Sequence, residues 1–352
     1  MTASVVRSVV ARAAICATLL TAACSDEDPI SPGTEDEASL TVDATTSWAY
    51  VNLESGSAVT VTEPTAASNW DMAFFATGVM LNGGSAGPAG VVGTCLCQNA
   101  GATEAQVQAM TPASELADFE GVTLASVPAA ASAWESDALA PAIAGWYAYN
   151  PATHQVSAAP ALVWKLRLAE ATNPGYAKFH VTGIANATQA HAGQVTIEYA
   201  VQDALGAPLG ETRTAVLDVS DGSRVYFDFK TGAESDASDW DISLEGWELR
   251  LNSGVSGTGK AGAVLATNAD FATMTDASDA PAQIYKADAF GGVFTAKKWY
   301  RYNLDGNNTI FPTYDVYLIK RGDDVYKVQI TGYYNVEGDA RHITFRYAKL
   351  TD

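Results

Sequence analysis

The sequence predicts an all-β protein built from two tandem copies of one β-sandwich or curved-sheet domain. Short segments such as 195–199 and 343–347 place apolar residues at every second position, which is the period of a strand with one buried face. Glycine, asparagine and aspartate separate such segments, as at 305–307 and 321–324, and these turns favour hairpins. Helical periodicity is weak and confined to 102–109.

The two copies are indicated by an internal repeat whose motifs recur in the same order. The matched segments, first copy before second, are 50–56 and 226–232, 68–72 and 238–242, 80–87 and 250–257, 110–114 and 274–278, 146–150 and 299–303, 178–183 and 327–332, and 194–200 and 342–348. We therefore predict two domains, 41–202 and 212–352. The glycine- and proline-containing segment 203–210 joins them.

The first 23 residues have the character of an export signal. Arg7 and Arg12 form a positively charged region before the apolar stretch 13–22, which ends in small residues and is too short to span a bilayer. The sequence at 20–24 is similar to a bacterial lipoprotein signal, in which Cys24 is lipidated. An ordinary secretory signal with a chance cysteine is the alternative. Residues 24–40 are rich in acids and proline and predict a flexible tether.

The charge of the chain disfavours two classes of partner. Lys and Arg number 20 against 40 Asp and Glu, which gives a formal net charge of −20. Such a surface repels phosphate, which argues against nucleic-acid binding, and it disfavours adhesion to anionic lipid. The lipid on Cys24 is therefore the only predicted membrane contact. With four cysteines and four histidines, few donors remain for a metal site, and none is predicted.

The repeated motifs resemble those of the HmuY family of outer-membrane lipoproteins. The resemblance is carried by the Trp-Asp pairs at 70–71 and 240–241 and by the Leu-Asn-x-Gly turns at 81–84 and 251–254, with terminal strands that end in Thr-x-x-Tyr. It implies an all-β protein that is lipid-anchored in the outer membrane and exposed at the cell surface. It also implies capture of haem, with the iron held by two axial side chains from loops over the sheet.

Haem ligation requires histidine or methionine donors beside a flat apolar slot. The paired histidines that the resemblance implies are not reproduced, but His154 follows the Trp-Tyr-Ala-Tyr segment 146–149 of the first copy and is a candidate ligand. Met110 is a candidate thioether donor, with core packing as the alternative. Tyr147 and Tyr149 either stack on a planar ligand or line the sheet. His180 alternates with apolar residues and is predicted to lie on an exposed strand face. The first copy, with three of the four histidines, is the favoured site.

Other patterns that carry chemistry are weak. Cys95 and Cys97 predict a disulfide or two free thiols rather than a metal site, because no further donors lie nearby in the sequence. The Gly-x-Ser-x-Gly pattern at 83–87 is not followed by a helical pattern. No catalytic residue is predicted, and the chain is not expected to be an enzyme.

Two functions are open at this level. The first is an exported, lipid-anchored protein that captures haem or another planar hydrophobic ligand at the cell surface. The second is a non-catalytic interaction lipoprotein that kept the β scaffold, lost haem ligation, and binds an envelope protein or a glycan.

Overall fold

The computed structural model describes residues 37–351, which form an almost entirely antiparallel β structure. In this part of the chain the α-helices are α1 (Glu104–Ala109), α2 (Leu116–Glu120) and α3 (Val293–Ala296). The predicted all-β fold class is confirmed, and α1 lies in the one segment with helical periodicity. The predicted signal peptide, Cys24 and most of the predicted tether lie outside the described residues, whereas the end of that tether, from Ala38 onward, belongs to the first strand.

Each copy contributes twelve strands to the described chain, in the same order. Those of the first copy are β1 (Ala38–Asp43), β2 (Ala49–Asn52), β3 (Ser57–Val59), β4 (Met72–Phe75), β5 (Gly78–Leu81), β6 (Val92–Cys95), β7 (Ala138–Ala140), β8 (Tyr147–Asn150), β9 (Gln155–Ala158), β10 (Trp164–Arg167), β11 (Tyr176–Ala185) and β12 (Gln194–Gln202). Those of the second copy are β13 (Arg213–Asp218), β14 (Val225–Asp228), β15 (Ala233–Ser235), β16 (Ile242–Glu245), β17 (Glu248–Leu251), β18 (Gly262–Leu265), β19 (Ala289–Gly291), β20 (Tyr300–Tyr302), β21 (Ile310–Pro312), β22 (Val316–Arg321), β23 (Asp324–Tyr334) and β24 (Ala340–Lys349).

Both five-stranded sheets combine strands from the two copies. One has the order β1-β24-β23-β22-β6, and the other has the equivalent order β13-β12-β11-β10-β18. In the first sheet Thr41 lies opposite Thr344, and in the second Trp164 lies opposite Leu265. The four-stranded sheets, β3-β2-β4-β5 and β15-β14-β16-β17, are each formed within one copy. The copies have therefore exchanged halves: the first strand of each copy pairs with the last strand of the other.

The exchange produces two packed modules that do not coincide with the sequence copies. The insert module comprises residues 138–288, which form a continuous stretch of chain, and the frame module comprises 38–137 together with 289–350. Each has its own apolar core, because the buried clusters do not mix residues of the two modules. The insert core contains Trp146, Phe179 and Phe227, among others. The division at 203–210 describes the sequence repeat, whereas in space the hairpin β12–β13 bridges that segment.

The chain crosses between the modules at a two-stranded ribbon of β7 and β19. These are equivalent strands of the two copies, and they pair antiparallel with Leu139 opposite Phe290. An antiparallel pair of equivalent strands relates the two copies by an approximate twofold axis at this point. The ribbon thus marks the centre of the exchange.

Two equivalent carboxyl groups anchor the chain directly before it crosses. Asp137 Oδ2 accepts the N–H of Leu81 at 2.9 Å, and Asp288 Oδ2 accepts the N–H of Leu251 at the same distance. Asp288 Oδ1 also accepts the N–H of Ala142 at 2.8 Å, across the crossing. Both aspartates are buried, so their hydrogen bonds fix the position of each crossing strand.

The Leu-Asn-x-Gly turns lie against these crossing segments. Gly84 has a φ of +59°, and a Cβ there would lie 2.1 Å from the carbonyl oxygen of Asp137. Gly254 repeats this arrangement, with a φ of +61° and a distance of 1.9 Å to the carbonyl oxygen of Asp288. Glycine is required at both positions by backbone conformation and by space. The motif is therefore a structural element of the crossing.

The Trp-Asp motif is structural as well. Trp70 is fully buried, and Asp71 Oδ2 accepts the N–H of Leu53 at 2.7 Å. Trp240 and Asp241 repeat the burial and the backbone hydrogen bond in the second copy. No helix in the described chain has the length and apolar character needed to cross a membrane.

Candidate ligand-binding cleft

The candidate site lies on the hairpin β8–β9 of the insert module. Tyr147 and Tyr149 are two residues apart on β8, so their side chains point to the same face of the hairpin. The turn is closed by Asn150, whose Oδ1 accepts the N–H of Ala152 at 2.9 Å. His154 ends the turn with a φ of +55° and joins the aromatic face.

This face borders a cleft of about 980 Å³. That volume is at the upper end of the range of roughly 300–1,000 Å³ for small-molecule sites. The lining residues come from the hairpin, from the β11–β12 turn and from one turn of the second copy: Tyr147, Tyr149, Asn150, His154, Gln155, Val156, Ser157, Ala187, Thr188, Gln189 and Trp247. Aromatic, amide and hydroxyl groups dominate, and no lysine, arginine, aspartate or glutamate is among them.

Trp247 is the contribution of the second copy. It occupies the tight turn between β16 and β17, and its Nε1 donates to the carbonyl of Thr188 at 3.2 Å. Its ring lies 4.8 Å from the ring of Tyr147, tilted by 50°, and 6.1 Å from that of the buried Trp146, nearly parallel at 27°. These are favourable aromatic distances, so the indole is held in place on one side while it remains partly exposed to the cleft.

His154 is oriented by Tyr149. The hydroxyl of Tyr149 and Nδ1 of His154 are 2.7 Å apart, with the ring centroids at 6.2 Å. A hydrogen bond at Nδ1 sets the orientation of an imidazole and leaves Nε2 as the free ring nitrogen. The side chain of Tyr149 is exposed, so this pair stands at the open edge of the cleft.

Three of the four predicted ligand residues therefore come together, and the fourth does not. Met110 follows helix α1 as its C-cap in the frame module and does not line the cleft. The predicted exposed position of His180 is wrong. Its ring stacks on Phe271 of the second copy at 4.1 Å, and it is 9% exposed, because the segment after β18 covers this face of β11.

The equivalent place in the frame module has different chemistry. Thr77 occupies the position of Trp247, and Tyr302 binds Asn308 through its hydroxyl at 2.5 Å where Tyr149 binds His154. Trp299, the equivalent of Trp146, donates its Nε1 hydrogen to the carbonyl of Thr77. At this place the frame module therefore has neither the stacking indole nor the imidazole.

The described residues contain no group of three or more histidine, cysteine, aspartate or glutamate side chains that could hold a metal ion. Cys95 and Cys97 form a disulfide, one of the two states that the sequence predicts for them. Cys95 lies at the edge of the first five-stranded sheet, opposite Tyr317. The disulfide is part of the frame module and is separate from the cleft.

The sequence model of the family described as HmuY protein matches residues 44–199 and 220–347. The chain belongs to the HmuY family. The two matches correspond to the two sequence copies, so the predicted HmuY repeat is confirmed, and strands of the two copies pair with each other in both five-stranded sheets. A search of the curated proteins finds no match.

Solved structures similar to this HmuY chain share little sequence with it. A putative HmuY-like heme-binding protein from Bacteroides vulgatus is 18% identical, over 36% of this chain and 84% of its own, with a TM-score of 0.17. The apo HmuY analog of Tannerella forsythia is 13% identical, over 62% and 96%, with a TM-score of 0.16. A putative lipoprotein from Bacteroides fragilis is 11% identical, over 51% and 92%, with a TM-score of 0.17.

Sequence reasoning missed Trp247. The residue stands one turn after the second Trp-Asp motif, about 90 residues from the hairpin it packs against. The one sequence feature that could have indicated a contact at Trp247 is its place in the two-residue turn between β16 and β17. A large aromatic side chain in such a turn has no packing partner within its own hairpin. Its contact with β8 follows from the strand exchange.

Proposed function

We propose that this chain is an exported binding protein, without catalytic activity, that captures a planar hydrophobic ligand of the haem class in the insert cleft. The observation that carries the proposal is the convergence of Trp247, Tyr147, Tyr149 and His154 on one cleft of about 980 Å³. Aromatic rings offer a flat apolar surface to a porphyrin, and an imidazole is an axial donor for its iron. Membership of the HmuY family supports haem as the first ligand to test.

In this proposal His154 is the one histidine of the cleft that would hold the haem iron. Ligation through Nε2 requires that Nδ1 carry the proton and donate it to the hydroxyl oxygen of Tyr149. The cleft has no cationic lining residue, so the amides of Asn150, Gln155 and Gln189 are the lining groups that would donate to the carboxylates of a bound haem.

The proposed location is the outer membrane, with the protein exposed at the cell surface. A lipid on Cys24 would hold the chain through the acidic tether 24–40. The Cys95–Cys97 disulfide supports an oxidising compartment, because disulfides persist outside the reducing cytosol.

Titration of the purified protein with hemin tests the proposal. We expect a saturable shift of the Soret band in the wild type. In His154→Ala we expect loss of the histidine-ligated band and an affinity at least about tenfold weaker, which corresponds to about 1.4 kcal/mol. The matched control is His342→Ala, a histidine of the frame module on β24, which should titrate like the wild type. A wild-type spectrum identical to that of hemin with an inert acidic protein would contradict the proposal.

A second candidate function is favoured by the polar part of the lining. Side chains of Asn150, Gln155, Ser157, Thr188 and Gln189 surround the aromatic rings without a formal charge. Neutral amides and hydroxyls beside a partly exposed indole also suit a glycan, whose hydroxyls both donate and accept hydrogen bonds. A glycan array probed with the wild type and with Trp247→Ala separates this function from haem capture, because binding to a saccharide would be independent of His154 as a ligand.

A further inference from the structure

The ligand cleft draws its two sides from different copies. The hairpin that carries Tyr147, Tyr149 and His154 belongs to the first copy, whereas Trp247 belongs to the second. They meet because the second half of the first copy and the first half of the second copy fold together as the insert module. A copy that folded by itself would place its own hairpin against its own β4–β5 turn, which carries Thr77.

Three contacts hold the indole of Trp247 in place. Nε1 of Trp247 donates to the carbonyl of Thr188, and the carbonyl of the preceding Gly246 accepts the N–H of Ala192 at 2.9 Å. Behind the ring lies Trp146, which is 3% exposed. A side chain held this way loses little conformational entropy when a ligand stacks on its open face, which favours binding.

The frame module offers the natural comparison. Its equivalent positions hold Thr77 and Asn308. Neither residue lines the small cleft of 270 Å³ near Tyr300, whose lining includes Lys297, Lys298 and Arg301. The tyrosines are retained in both modules, as Tyr147 and Tyr300. The two modules therefore differ in the indole and the imidazole while they share the hairpin scaffold.

We infer that Trp247 is the stacking platform that confines planar-ligand binding to the insert module, so that the chain takes one planar ligand even though it carries two family repeats. The inference rests on the proposed function. It adds Trp247 of the second copy to the binding site and predicts one ligand per chain. A flat, π-rich ring lies against the exposed face of the indole, and the Tyr149–His154 pair borders it on the hairpin side. No part of this arrangement requires iron.

Metal-free protoporphyrin IX and hemin together test the inference. Protoporphyrin IX has no iron to ligate, so its binding reports the platform alone, whereas hemin reports the platform and His154. Affinity and stoichiometry come from fluorescence and absorbance titration of the full chain. We expect one porphyrin per chain. Trp247→Thr, which installs the residue of the frame module, should weaken both ligands about tenfold, as the loss of a well-formed aromatic contact does. His154→Ala should weaken hemin only.

Trp48→Thr is the matched control, because Trp48 is a partly exposed indole in the frame module, away from the cleft, whose ring lies 5.8 Å from that of Phe75 at a tilt of 41°. It should bind both porphyrins like the wild type, and the circular dichroism of both variants should be unchanged. If hemin binds and Trp247→Thr leaves both affinities intact, or if two porphyrins bind per chain, the inference is wrong while haem capture stands. If protoporphyrin IX depends on Trp247 but hemin shows no His154-dependent band, the platform stands and haem ligation is wrong. Failure of both porphyrins to bind overturns both.

Discussion

Asp137 shows how one buried residue can make the stability of the fold depend on pH. The carboxyl group is 2% exposed and directly precedes the crossing between the modules. Burial raises its pKa from 3.8 to about 7, and the nearby Glu135 adds to the shift, against the opposing hydrogen bond from the Leu81 N–H. Asp241 behaves similarly, since burial raises its pKa to about 6. Both groups resist ionisation in the folded state.

The sign of the resulting pH dependence follows from the two pKa values of Asp137. Between pH 4 and pH 7 the folded protein holds the proton more tightly than the unfolded chain does, so this group makes the fold less stable as the pH rises through that window. We expect Asp137→Asn to reduce the fall in the free energy of unfolding between pH 5 and pH 8 by on the order of 2 kcal/mol. Urea unfolding at four pH values measures it.

Asp218→Asn is the control for this prediction. Asp218 is exposed on β13, and hydrogen bonds from Ser220 and Gln194 lower its pKa, so it titrates below the pH 5–8 window. That variant should keep the wild-type difference between pH 5 and pH 8. An unchanged pH dependence in Asp137→Asn would show that the buried carboxyl is not what sets it.

At the level of elements, the chain segment that crosses between the modules explains why the Leu-Asn-x-Gly turn at 81–84 needs glycine at its last position. Gly84 and Gly90 both have positive φ, +59° and +68°, but only a Cβ at Gly84 would overlap the carbonyl oxygen of Asp137, whereas at Gly90 nothing lies within 4 Å. We expect Gly90→Ala to lower the free energy of unfolding by about 1 kcal/mol, the cost of a left-handed backbone for an L-residue. Gly84→Ala should lower it by about 3 kcal/mol or more.

Thermal and urea unfolding of the two glycine variants measure this difference. Equal losses would mean that the crossing segment does not lie against the turn, because a Cβ at Gly84 would meet Ser136 and Asp137 of that segment whereas a Cβ at Gly90 would meet nothing within 4 Å. The difference between the two variants thus tests whether the crossing segment packs against the Leu-Asn-x-Gly turn.

The elements were largely predictable because the information for them is local. Apolar alternation indicated β12 and β24, and turn residues marked the hairpin between β22 and β23. The burial of His180 was not predictable from alternation. β11 buries both faces, one against the insert core and the other beneath the segment that carries Phe271. The period of two describes a strand with only one covered face.

At the scale of the whole molecule, the sequence predicted the internal repeat but not the exchange of strands between the two copies. Ordered motifs reveal two copies. Because the copies are similar in sequence, a strand could pair equally well with its partner in its own copy or with the equivalent strand of the other copy. Thr344 and Thr196 are equivalent residues on the last strands of the two copies, so sequence alone gives β1 no reason to choose between them. For the same reason the sequence could place His154, Tyr147 and Tyr149 at a common site but could not add Trp247.

The strand exchange is the central claim, because the composite cleft depends on it, and an engineered disulfide tests it most directly. Thr41 lies opposite Thr344 with the hydroxyl oxygens 2.8 Å apart. In Thr41→Cys/Thr344→Cys, mild oxidation should link the two cysteines within one chain, as identified by peptide mass spectrometry on the monomer. Thr41→Cys/Thr196→Cys, the pair that two separately folded copies would bring together, should keep both new thiols free. A cross-link between positions 41 and 196, with none between 41 and 344, would contradict the account.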